Sequence, residues 1–437
     1  MKATTALQRY LERHIEPDLP APPLGVPPWH QVLVIPVYCE SPSLIEKLAQ
    51  QLTCPSRKLL ILVSNRPDNG SDPDINQPLK DAVKLLPALQ KDYPALRQLN
   101  QSTNVFLYEH DSLCGTIDKS QGVGLARKIG CDIALLWQQQ GLIDSDWICS
   151  TDADATLPAD YFERLNSSGA DDAAMVFPFW HAPSDDEAVS HATALYELRL
   201  HQYVLGLSFA GSPYAYHTLG SCIAIRNSAY VAVRGFPKRA GGEDFYLLNK
   251  AAKTGAINSP GGDCITLQSR ASSRVPFGTG PAVTRLLEHS TPEDATIFYH
   301  PACFLGLRSL LRAIPALYLD PDTVIEQLIV ADTGSAQLAA AAAAVLTDLG
   351  IEAALLHCRR QGKSQAQFLR QFHQWFDGFK TLKFIHGLRD RGWPEQPLDQ
   401  LHELRPWLWP GPEEQALTPA QRRTSIATAW GWRISQK

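Results

Sequence analysis

The segment ICSTDADAT (148–156) carries Asp152 and Asp154 two positions apart at the end of an apolar run. On an extended strand alternate side chains share a face, so these two carboxylates can share one hard divalent cation, Mg2+ or Mn2+. A carboxylate at a strand end can equally cap the next turn, and Asp160 in LPADYF is placed to do so. A second acidic doublet, Glu243–Asp244 in GEDFYLL, follows the Gly- and Arg-rich loop VRGFPKRAGG and precedes a helical stretch. It suits either a charge at a helix N-terminus or a general base. Tyr38 and Glu40, just after the apolar run VLVIPVY, put an aromatic and an acid where a nucleotide base and ribose would lie. His217 and His300 are candidates for a further metal ligand, although a lone histidine is more often structural.

Residues of this kind need a sheet to bring their ends together, and the chain supplies one. VLVIPVY (32–38), LLILVS (59–64), NVFLYEH (104–110) and DWICSTDAD (146–154) read as strands. Helical stretches separate them, from Ser43 to about Leu52 and, with apolar residues at Val123, Ala126, Ile129, Ile133, Leu136 and Trp137, across Ser120–Gln140. MVFPFW (175–180), a long helix from about Glu187 to Leu207 and SCIAIR (221–226) continue the pattern. Alternating strands and helices predict an α/β, doubly wound sheet, with ligands at the carboxyl ends of the strands. The alternation fades after about residue 282. The expected organisation is therefore a lead segment 1–29, a catalytic domain 30–282 and a mainly helical region 283–437.

Forty basic against forty-five acidic residues give a net charge of −5, which fits an ordinary globular protein and not a general nucleic-acid binder. The nine cysteines stand singly, without CxxC spacing, so a reducing compartment fits best. The N-terminus lacks the apolar run of a signal peptide, and Cys303–Leu319 carries Arg308 and Arg312, so neither a leader nor a spanning helix is expected. A cytoplasmic place follows, with a peripheral one at the inner face of a membrane as a variant. Between Leu355 and Arg391 eight basic residues meet only Asp377 and Asp390 and interleave with aromatics. This is an amphipathic helical stretch whose aromatics pack inward, or a surface for an anionic acceptor or membrane headgroups.

In order and spacing, VLVIPVYCES, LLILVSN, GVGLARKIGCDIAL, DWICSTDADATLPADYF, GSCIAIRNSAYVAVRGFP and GGEDFYLLNKAAKTG resemble family 2 glycosyltransferases of the GT-A fold over roughly residues 30–275. The resemblance implies a mixed, Rossmann-like sheet and an inverting, metal-dependent transfer of a sugar, a hexose being the common case, from a nucleotide-diphosphate donor to an acceptor hydroxyl. It places Pro36, Val37, Tyr38, Glu40, Asn65, Lys119, Arg127 and Asp152 around the nucleotide and gives Asp152 and Asp154 to Mg2+ or Mn2+. Asp244 becomes the catalytic base, supported by Glu243. The acceptor would be a small molecule, a glycan or a lipid-linked sugar.

Two departures stand out. After the second strand the family's acidic pair is replaced by Ser64, Asn65 and Arg66, so the donor need not be a uridine nucleotide. The QxxRW motif of processive members is replaced by QSRASSRVPFGTGPAV (268–283), in which Arg270 and Arg274 form a candidate loop over the diphosphate or acceptor; a non-processive enzyme follows. Two rival readings are a HAD-type phosphotransferase using the DxDxT match at Asp152, and a non-catalytic sugar-nucleotide-binding protein. The first expects its motif near the start of the domain, whereas four strand–helix steps precede Asp152.

Overall fold

The computed structural model describes residues 2–272, 278–289, 291–320, 322–404 and 417–434. Twelve strands are found among them: β1 (Gln31–Val37), β2 (Lys58–Ser64), β3 (Leu96–Gln98), β4 (Thr103–Glu109), β5 (Trp147–Ser150), β6 (Asp172–Val176), β7 (Phe179–Ala182), β8 (Ile223–Arg226), β9 (Ala256–Asn258), β10 (Gly262–Asp263), β11 (Ile265–Gln268) and β12 (Trp432–Arg433). Eight form one mixed sheet in the order β3-β4-β2-β1-β5-β8-β6-β9. The parallel half, β4-β2-β1-β5, holds the continuous apolar runs, and Leu33, Val34, Ile35, Leu60, Ile61 and Leu62 are fully buried. Such runs need cover on both faces, which the helices Ser43–Gln51 and Gly122–Gln139 help to give. β8 runs antiparallel to both β5 and β6, and β3 antiparallel to β4, so the sheet is mixed.

Two strands are shorter than their sequences suggest. β5 stops at Ser150, and the TDAD that follows is a turn closed by Ala155 N–H donating to Asp152 O at 3.2 Å. MVFPFW does not form one strand, because Pro178 has no N–H for a ladder. β6 ends at Val176 in the main sheet, and β7 pairs instead with β11.

The chain divides into two compact units. The first comprises Met1–Asp185, Thr218–Pro281 and Gly431–Lys437, and all twelve strands lie in it. The 1–29 segment belongs to this unit and contributes the helix Lys2–Arg13.

The second unit comprises Asp186–His217 and Ala282–Trp430 and is helical in its described residues. The long helix Glu187–Ala210, which sequence order groups with the sheet, belongs here. Its Leu195, Leu198 and Leu207 share a core with Phe304, Leu307, Leu338, Phe368, Phe372, Phe376 and Phe384. The aromatics of 355–391 are thus largely interior, with Lys380 over the Trp375 ring and Lys383 over the Phe379 ring. The helix Pro301–Leu319 is long and apolar enough to cross a bilayer, yet half of its most apolar stretch is buried within the protein.

Candidate functional site

At the carboxyl ends of β1 and β5 the chain leaves the sheet, and the acidic motifs meet there. Asp152 and Asp154 follow β5. Glu243 and Asp244 open the helix Glu243–Ala251, with Gly242 before them in the left-handed region at φ 69°. Arg127, on the helix Gly122–Gln139, joins the two motifs and is only 2% exposed. Its Nε donates to Glu243 Oε1 at 3.1 Å and its Nη1 to Ser150 Oγ at 2.9 Å. Its Nη2 pairs with one Asp152 oxygen, and Ser221 Oγ donates to the other. Burial disfavours the guanidinium charge, but Asp152, Glu243 and Asp244 more than reverse that effect.

Asp154 faces other partners. Arg270 Nη2 lies 2.7 Å from its Oδ2, and Lys47, on the helix Ser43–Gln51, donates to its backbone carbonyl at 2.9 Å. Burial and then repulsion from Asp152 push the Asp154 carboxyl up, against the pull of Arg270 and Lys47. Burial lowers the Lys47 ammonium, opposed by Asp154 and Glu40. Asp244 is part-buried, and burial followed by repulsion from Glu243 pushes its carboxyl up to about 7. A carboxyl titrating there is matched to proton abstraction near neutral pH.

The remaining predicted residues fall at varying distances from this cluster. Tyr38 and Glu40 are part-buried just beyond β1, flanking Cys39, whose φ is 56°. Pro36 and Val37 are buried inside β1, so only their backbone is on offer, and Val37 O already accepts from Asn65 N–H at 3.0 Å. Asn65 spends its amide on Val37 O and Val63 O at 3.1 and 3.2 Å, tying two strand ends together. Lys119 is exposed in the loop before the helix that carries Arg127 and makes no ion pair among the described residues. Arg274 lies outside the described residues. The Asp160 carboxylate takes two bonds from Arg164, at 3.0 and 2.6 Å. His300 caps the helix Pro301–Leu319, accepting from Ala302 N–H at 3.0 Å. His217 lies in the helical unit, 3.0 Å from His201.

Sequence reasoning missed Lys47 and a buried network one strand further out. Asp111 accepts from Ser64 Oγ at 3.0 Å and Asn76 Nδ2 at 2.8 Å, and Lys80 Nζ lies 2.8 Å from it. Against the effect of burial, these bonds hold Asp111 below the usual carboxylate range. Both Asp111 oxygens, just beyond the end of β4, are thus engaged within the protein.

Among the described residues no three His, Cys, Asp or Glu side chains gather as a ready metal site. The chemistry of the cluster still fits a hard cation. Lys47, Arg127 and Arg270 stand against Glu40, Asp152, Asp154, Glu243 and Asp244, so acidic groups outnumber basic ones in the cluster. Arg270 reaches one oxygen of Asp154, whereas both Asp152 oxygens are engaged by Arg127 and Ser221. That engagement also leaves Asp152 poorly placed as a phosphotransferase nucleophile.

No family model matches the chain, and no curated protein does. Among solved structures its fold is similar to that of S. aureus TarS, with a TM-score of 0.34 and 14% identity over 79% of this chain and 54% of that one. The chain therefore spans about half the length of that protein.

Proposed function

We propose that this protein is a non-processive glycosyltransferase that moves a sugar, with inversion, from a nucleotide-diphosphate donor to an acceptor hydroxyl. The observation that carries the reading is Asp244, a part-buried carboxyl pushed up to about 7 and linked through Glu243 and Arg127 to the Asp152–Asp154 turn. In this reading Asp244 takes the proton of the acceptor hydroxyl as the sugar is displaced, while Arg127 holds Glu243 beside it. Arg270 and Lys47, at the Asp154 end, receive the diphosphate, whose negative charge grows as the glycosidic bond breaks. Tyr38 and Glu40 take the nucleoside side.

Asp152 and Asp154 are the residues that would hold Mg2+ or Mn2+, and the cation would act as a Lewis acid on the leaving diphosphate. The experiment is a panel of UDP-, GDP-, dTDP- and ADP-sugars with Mn2+ or Mg2+, read by protection of the purified protein against thermal unfolding. A ligand that binds the native state alone raises the melting temperature, by about 2.7 kcal/mol of stabilisation at a hundred times Kd. One or more nucleotide sugars should protect, and the same compounds should protect less without divalent cation. Equal protection by phosphate monoesters alone would speak for phosphotransfer.

A further inference from the structure

The N-terminal helix lies outside the stretch that resembles a glycosyltransferase, yet it is bonded to both pieces that deliver the acidic cluster. Asp132, fully buried on the Gly122–Gln139 helix, accepts from Tyr10 Oη at 2.6 Å, Tyr230 Oη at 2.8 Å, Lys128 Nζ at 2.7 Å and the Glu16 N–H at 2.9 Å. Lys128 also donates to Tyr10 Oη at 3.0 Å and to His14 O at 2.7 Å, so every hydrogen of its ammonium is used. Lys128 is the neighbour of Arg127 in sequence. The helix that presents Arg127 to the acidic motifs is thereby anchored to residues 10–16 one position away.

The second piece is the loop Arg234–Gly242, which leads directly into Glu243 and Asp244. At one end Gly235 adopts φ 75° against Tyr10, and a Cβ there would lie 2.5 Å from Tyr10 Oη. In the middle Lys238 Nζ reaches Glu16 Oε1 at 2.7 Å. Further on, Gly124 N–H donates to Arg239 O at 3.0 Å, and a Cβ on Gly124 would lie 2.4 Å from Pro237 O. The loop is therefore held between the N-terminal helix and the first turn of the helix that carries Arg127.

We infer that residues 10–16 are a positioning element of the candidate site, acting through Asp132 and Lys238 to fix Arg127 and the Glu243–Asp244 doublet relative to each other. The inference rests on the proposed role of Asp244 only for its effect on turnover. Its effect on the loop is independent of any substrate.

The test is Tyr10→Phe, which keeps the ring and removes two hydrogen bonds, examined by native-state hydrogen exchange in the full chain. Amides of 234–246 and of Gly124 should exchange at least about tenfold faster, while those of β1 and β2 keep their protection. Glu16→Gln, at a part-buried pair, should loosen the same loop without threatening the fold. Faster exchange confined to residues 2–16 overturns the inference. Turnover is then measured as nucleoside diphosphate released from the donor that protects best. Tyr10→Phe should lower kcat about tenfold with donor KM unchanged, and the loss should vanish in an Asp244→Asn background, as expected for residues acting through one another. A lowered melting temperature with unchanged loop exchange and kcat leaves the helix a merely structural part and refutes its positioning role. Wild-type turnover of Asp244→Asn would instead remove the base assignment while the exchange result still decides this inference.

Discussion

Asp244→Asn separates stability from activity in a way the geometry makes quantitative. In the native protein burial and Glu243 push this carboxyl from an ordinary 3.8 up to about 7. The unfolded chain has no such environment, so between about pH 4 and pH 7 the native state holds a proton that the unfolded state has released. Stability from this group is full below the unfolded value and is lost as pH rises through the folded one. At 1.36 kcal/mol per pH unit the loss reaches roughly 4 kcal/mol by pH 8. Asparagine mimics the protonated form and does not titrate, so the variant should match wild type near pH 4 and exceed it increasingly up to pH 8. At about 2–4 °C per kcal/mol for a unit of this size, the gap is on the order of 10 °C. Thermal unfolding of both proteins at pH 5, 6, 7 and 8 measures it. The same substitution should cost about 10²–10⁴ in turnover, and wild-type turnover should rise with pH through about 7 as the base ionises. A melting-temperature difference that does not vary between pH 5 and 8 would refute the argument, because the carboxyl would then titrate as it does in the unfolded chain.

Three further outcomes follow from the same geometry. Asp154→Asn should abolish the Mn2+ or Mg2+ dependence of nucleoside diphosphate binding while leaving the melting curve nearly unchanged, and titration calorimetry with and without the cation checks it. Gly220→Ala would set a Cβ 2.5 Å from Arg127 Nη2, so it should destabilise the fold by about 1–3 kcal/mol and lower kcat together, seen by denaturant unfolding and single-turnover rates. A chain ending at residue 282 keeps the Glu187–Ala210 helix but loses Phe304, Leu307 and Phe372 from the core it shares with them, so it should aggregate or bind a hydrophobic dye, whereas the full chain does neither.

What the sequence disclosed and what it withheld divide along the range of the interactions. VLVIPVY and LLILVS read correctly because a strand buried on both faces must be apolar throughout, and that signal lies within seven residues. Asp152, Asp154, Glu243, Asp244 and Arg270 were legible by residue type at strand and helix ends. Their couplings were not. Arg127 meets partners 116 and 25 positions away, and Tyr10 meets Asp132 across 122, so no local pattern reports that one guanidinium binds both acidic motifs or that an N-terminal helix buttresses them. The same limit explains why Arg127 reads as a nucleotide contact in the sequence and as a buried anchor in the structure, and why the Glu187–Ala210 helix belongs to the second unit despite its place in the chain. Strand ends failed for a different reason: at Ser150 and Pro178 the chain leaves its ladder while the composition remains apolar or acidic on either side. The carboxylates of ICSTDADAT therefore sit on a turn and not on a pleat. They diverge toward Arg127 and Arg270, so each answers to a different cation, with the Asp152 side chain 38% exposed and that of Asp154 19%.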